Sequence, residues 1–141
     1  MEHIERKVQS LVNKHKTNSP FKLAKALGIE IVYENLGNTW GYYSMHFRIK
    51  IIHINENLSE EEMTFVCAHE LGHAVQHPDA NTPFLKNHTL FSTEKNELEA
   101  NAFAIYLLFL EKNLNERISI ENALNKYGIP QKLLKSSAIF F

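Results

Sequence analysis

The sequence predicts an α+β protein, with a small three-stranded sheet set among helices as one domain over residues 1–141. The chain has 141 residues, the length of one ordinary domain with room for a single core. Runs of β-branched and aromatic residues are confined to about positions 29–54, whereas apolar side chains recur at helical spacing on either side. Hydrophobic residues make up 44% of the chain and charged residues 22%, too apolar for disorder and too polar for a membrane protein. Three successive strands between helical segments suggest an antiparallel sheet rather than a doubly wound one.

Each element has a local reason. Ile4, Val8, Leu11 and Val12 fall on one face, so Glu2 to Lys16 reads as an amphipathic helix. Asn18-Ser19-Pro20 breaks it. Pro20, whose fixed φ suits a first turn, opens a short second helix that Gly28 ends. Ile29 to Tyr33, Gly41 to His46 and Ile49 to Ile54 carry strand signals, with turn residues from Asn35 to Asn38. Ser59 and Glu62 form a capping-box pattern, and Glu60, Glu61 and Glu62 suit the positive end of a helix dipole. That helix should run to about His77, where Pro78 stops it. Pro78 to Thr93 is a long connection without clear periodicity. A long helix from about Thr93 to Asn113 follows, then a shorter one from Ser119 to Tyr127. Gly128-Ile129-Pro130 makes a turn before a last helical piece with Leu133 and Leu134.

Composition narrows the function. The formal net charge is −1, which gives no electrostatic footprint for nucleic acid or an anionic membrane. A single cysteine, Cys67, excludes an internal disulfide framework and a cysteine-based zinc finger. Eight histidines are ample for metal or proton chemistry. The start from Met1 to Lys7 is charged, and the longest apolar run, Ala102 to Leu110, is too short to span a bilayer, so a cytoplasmic location is expected.

The chemistry concentrates on the capped helix, which carries His69-Glu70-Leu71-Gly72-His73, a His-Glu-x-x-His pattern. Residues four apart lie one above the other, so both imidazoles can point at one spot and serve as Zn²⁺ ligands. Glu70, beside a ligand, can reach a metal-bound water without occupying the metal, as a general base must. A catalytic zinc needs a third protein ligand and an open fourth position. Downstream stands Glu97-Leu98-Glu99-Ala100-Asn101-Ala102-Phe103-Ala104. Spacing alone offers either glutamate. Glu97 shares its face with Asn101, whereas Glu99 lies about 200° round the helix. Glu99 is therefore expected to behave as a surface residue. Gly72 on one helix and Ala100 and Ala104 on the other would allow close packing.

Ala68-His69-Glu70-Leu71-Gly72-His73-Ala74 together with Glu97-x-x-Ala100-Asn101-x-Phe103-Ala104 resembles the ImmA/IrrE-type zinc metallopeptidases, gluzincin-like proteins often found on phages and mobile elements. Looser matches are Pro20-Phe21-x-Leu23-Ala24-x-x-Leu27-Gly28-Ile29 and Ile52-His53-Ile54-Asn55. The resemblance implies a zincin-like (mini-gluzincin) core, with His69, His73 and Glu97 on zinc and Glu70 as base. It also implies that Asn101 orients a ligand histidine. Members cut helix-turn-helix repressors and so induce the silenced genes. The implied reading is a zinc endopeptidase acting on a repressor protein, with no direct contact to nucleic acid or membrane. No residue matches an oxyanion-stabilising role; His88 and Tyr42 are candidates by chemistry only.

Other residues have plainer readings. His77 stands four after His73, but helical drift and Pro78 favour a helix-end histidine facing carbonyl dipoles over a third ligand. Cys67 reads as a small buried thiol. Trp40, Tyr42 and Tyr43 fit either a peptide-binding edge or sheet packing. Residues Ser119 to Lys135 have helix-turn-helix length, but the neutral charge favours a packing hairpin. The rival from another class is a non-catalytic zinc module that sequesters a repressor or antitoxin. A structural site would normally close its fourth position and has no use for Glu70.

Overall fold

The computed structural model describes residues 2–79 and 94–109. They form helices α1 (Glu2–His15) and α2 (Pro20–Ala26), strands β1 (Glu30–Glu34), β2 (Gly41–His46) and β3 (Ile49–Asn55), and helices α3 (Glu60–Gln76) and α4 (Lys95–Phe109). The expected course of the connection to Thr93, the end of the long helix at Asn113 and everything from Ser119 onward lie outside the described residues.

Helix ends follow the local chemistry. Lys16, at φ 58°, turns the chain out of α1 while its N–H bonds Val12 O at 2.8 Å. Ser19 Oγ accepts from Lys22 N, and Pro20 opens α2. At the start of α3, Ser59 Oγ accepts from Glu62 N at 3.1 Å while Glu62 Oε1 accepts from Ser59 N at 2.9 Å, so the expected capping box is complete.

The sheet corrects the expectation of an all-antiparallel arrangement. Its order is β1-β3-β2; β2 pairs β3 antiparallel, but β1 pairs β3 in parallel. The two-residue turn Phe47-Arg48, both at positive φ (51° and 68°), closes the β2–β3 hairpin. β3 then fills the place between β1 and β2, so consecutive strands β1 and β2 never become neighbours. Asn55, at the end of β3, holds the crossing loop through Nδ2 bonds to Gly37 O and Thr39 O, both 2.9 Å. A chain of side chains also ties the three strands: Glu34 Oε1 bonds His53 Nδ1 at 2.8 Å and Ser44 Oγ bonds His53 Nε2 at 3.1 Å.

The other sheet face buries Tyr43, Ile52 and Ile54 against α3. Gly41 permits the closest approach, because a Cβ there would lie 2.6 Å from His53 O and from Val66 Cγ1. α4 packs on the far side of α3 and also touches α1, so α3 is the central element of one continuous hydrophobic cluster. No helix among the described residues is long and apolar enough to cross a membrane.

Candidate metal centre

Burial of α3 on two sides explains its composition. From Phe65 to Ala74 every residue is buried, His69, Glu70 and His73 included. Polar groups so placed need partners or a ligand. α4 supplies some: Glu97 and Asn101, one turn apart on one face, both point at α3. Glu97 Oε1 lies 3.0 Å from His69 Nε2 and 2.8 Å from His73 Nε2, and Asn101 Oδ1 lies 2.9 Å from His69 Nδ1. The donor atoms of His69, Glu70 and His73 fall within 4.8 Å of one another. All five residues singled out by the two sequence patterns therefore meet at the α3–α4 crossing.

Electrostatics make the cluster unusual. Burial holds His69 down to about 4, against the hydrogen bonds from its partners, so its ring is neutral at pH 7. Burial works upward on Glu97, but the bonds from His69 and His73 outweigh it and bring the carboxyl to about 2. A neutral imidazole has one N–H, which His69 can give either to Asn101 Oδ1 through Nδ1 or to Glu97 Oε1 through Nε2. A cation at the Glu97 carboxylate would take the place of the Nε2 proton and leave the remaining one to Asn101, and two imidazoles with a carboxylate are a donor set suited to a divalent transition metal.

Glu70 is different. It is 0% exposed, and neither carboxylate oxygen has a hydrogen-bond partner among the described residues. Burial, with the charge of Glu97 adding to it, pushes its carboxyl well above the usual range.

The remaining candidates separate cleanly. Glu99 faces away from the centre as expected, but it is not a surface residue. It is buried, accepting from His3 Nε2 at 3.0 Å and lying 3.3 Å from His77 Nε2. These contacts correct the readings of Glu99 as exposed and of His77 as turned to the helix-end carbonyls; the helical phase was right, but α1 and the end of α3 cover that face. Nothing local to position 99 announces a partner at position 3. Cys67 is a free buried thiol, raised by burial and by nearby Glu70. Tyr43 is core, and Tyr42 stacks on His53 with ring centroids 4.0 Å apart, so both serve sheet packing. His88 lies outside the described residues.

Comparison with known proteins bears on this arrangement. Residues 24–128 match the profile of the IrrE N-terminal-like domain, Peptidase M78. The chain is 43% identical over 135 residues to "Uncharacterized immunity region protein 2" of Bacillus phage phi105, covering 92% of this chain and 85% of that one. It is 35% identical over 129 residues to "Metallopeptidase ImmA" of Bacillus subtilis (strain 168), covering 89% and 75% respectively.

Proposed function

The chain belongs to the IrrE N-terminal-like peptidase family, and from that premise we propose that it is a zinc-dependent endopeptidase of the cytoplasm whose substrate is a helix-turn-helix repressor of a phage or mobile element. A metallopeptidase is what the family membership gives; zinc, the internal cut, the repressor and the resulting derepression are the proposal. The phage immunity-region relative supports the substrate class.

In this reading His69, His73 and Glu97 hold the metal, Asn101 fixes the tautomer of His69, and Glu70 is the base. Bound zinc supplies Lewis acidity, acidifying a water molecule and polarising the scissile carbonyl. Glu70 accepts the water's proton as its oxygen bonds to the carbonyl carbon, and delivers that proton to the amine nitrogen as the C–N bond breaks. Positioned proton transfer of this kind contributes roughly 10²–10⁴-fold. The observation that carries the reading is the buried Glu70 side chain, neither of whose oxygens is engaged by any described residue. A cation sharing the site would favour the ionised form of Glu70 against its burial, leaving a carboxylate that can accept a proton.

Metal analysis of the purified protein is the first test. One equivalent of zinc is expected, lost in His69→Ala, His73→Ala and Glu97→Ala; no tightly bound zinc at any stage overturns the proposal. Glu70→Gln then separates enzyme from sequestering module. It should keep zinc and fold while losing most cleavage, and a variant that derepresses as well as the parent at equal abundance favours sequestration.

A further inference from the structure

The hairpin tip is built against local preference. Phe47 and Arg48 both sit at positive φ (51° and 68°), a two-residue turn geometry that asparagine and glycine adopt readily and a bulky aromatic does not. Phe47 recovers nothing by packing, since it is 99% exposed, and neighbouring Ile49 is 58% exposed. A residue that strains the backbone and buries no surface is one the fold does not need, and such departures mark functional positions. The tip is also cationic. Arg48 and Lys50 flank it, and no acidic residue occurs from Gly41 to Ile54.

A complementary feature lies at the other end of the sheet. A groove of about 520 Å³ is lined by Phe21, Tyr33, Met63, Thr64, Glu56 and Glu60. Its wall is apolar, Tyr33 remains 50% exposed, and exposed Glu56 and Glu60 supply negative charge at its edge. Arg48, Lys50, Glu56 and Glu60 make no ion pair with one another or elsewhere among the described residues. The tip precedes Ile49 and the groove includes Glu56, so the length of β3, about 20 Å of strand, keeps the two apart within one molecule.

We propose that the Phe47-Arg48 tip of one molecule docks in the Phe21–Tyr33–Met63 groove of a second copy of this chain, in a head-to-tail contact with Arg48 and Lys50 facing Glu56 and Glu60. The contact is heterologous, so each copy offers one tip and one groove, and association runs on beyond a pair. A tip of four residues is small against the roughly 20–30 residues a side of a standard interface. Association is therefore weak, concentration-dependent and sensitive to salt.

Sedimentation velocity of the full chain, from about 10 µM to about 1 mM, the range in which so small a contact associates, tests this. The weight-average sedimentation coefficient should rise with concentration and fall back with added salt. Phe47→Asn relieves the turn and removes the aromatic ring. It should raise the melting temperature slightly while abolishing association, a combination that a merely structural Phe47 would not give. Glu60→Lys, at an exposed position, should weaken association at least tenfold. The decisive sample mixes the two variants: Phe47→Asn keeps its groove and Glu60→Lys keeps its tip. The mixture should form pairs and nothing longer. A parent that stays monomeric throughout, or association that Phe47→Asn leaves unchanged, overturns the proposal. So does a mixture that forms no pairs. A Phe47→Asn variant that differs from a monomeric parent only in substrate cleavage assigns the tip to the substrate instead.

Discussion

Gly72 of α3 and Phe103 of α4 meet where these two helices cross: a Cβ at position 72 would lie 3.0 Å from Phe103 Cβ and 3.3 Å from Ala100 Cα. Both are atoms at or next to backbone, which cannot swing aside. Gly72→Ala gains about 1 kcal/mol of helix propensity, but overpacking costs typically about 1–3 kcal/mol. The expected result in urea unfolding is a net loss of up to about 2 kcal/mol, larger for Gly72→Val, with weaker metal binding as α4 is pushed off. A Gly72→Ala protein more stable than the parent would mean that α4 moves aside freely.

Glu97 and Glu99 should respond differently to truncation. Glu97→Ala is expected to weaken zinc binding by about 10-fold or more and to lower the melting temperature toward that of the metal-free protein. Glu99→Ala should keep its metal yet lose about 1–2 kcal/mol, because His77 is left mostly buried without its partner. Zinc titration beside thermal melts checks both, and loss of zinc in Glu99→Ala would reverse the assignment.

Glu70 predicts a pH dependence in metal-free protein. Its folded value stands well above the ordinary 4.5, so its contribution to stability is complete below about 4.5 and is lost as pH rises through the folded value. Metal-free Glu70→Gln should therefore be more stable than metal-free parent at pH 7, with the gap closing toward pH 4.5. His69, held at about 4 by burial, costs both proteins stability as pH falls from about 6.5 to 4 and cancels in the difference. Unfolding of both proteins after chelation, across that range, is the measurement; a gap independent of pH would show that Glu70 ionises freely in the fold.

Cys67 offers a probe of the core beside this site. Burial keeps its thiol protonated, and the protonated thiol is a poor nucleophile. Iodoacetamide should leave native protein unmodified and label it fully in denaturant, as read by mass spectrometry. Rapid native labelling would mean that α3 opens locally.

The parts legible in the sequence are those with short-range causes. Ser59 and Glu62 announce a helix start three residues apart, and His69, Glu70 and His73 announce a site within five. Glu97 and Asn101 needed only helical phase and the family pattern. The parallel β1–β3 pairing was missed because strand signals at Ile31 and Ile52 are the same whichever way the strands run. The neighbour order depends on where β3 inserts. The burial of Glu99 was missed because its partners stand at positions 3 and 77, and helical phase says where a side chain points without saying what comes to cover it.

The order β1-β3-β2 divides the sheet into contacts of unequal range. The β2–β3 hairpin closes over a two-residue turn, the kind of local pairing that forms within microseconds. β1 meets β3 only across the whole of β2 and the loop held by Asn55, so its contacts carry the larger loop-closure cost. Without β1 in place, an isoleucine-rich edge of β3 has no strand beside it, the kind of edge that invites pairing with another chain. The two bonds from Asn55 that hold the crossing loop therefore also help to keep that edge covered.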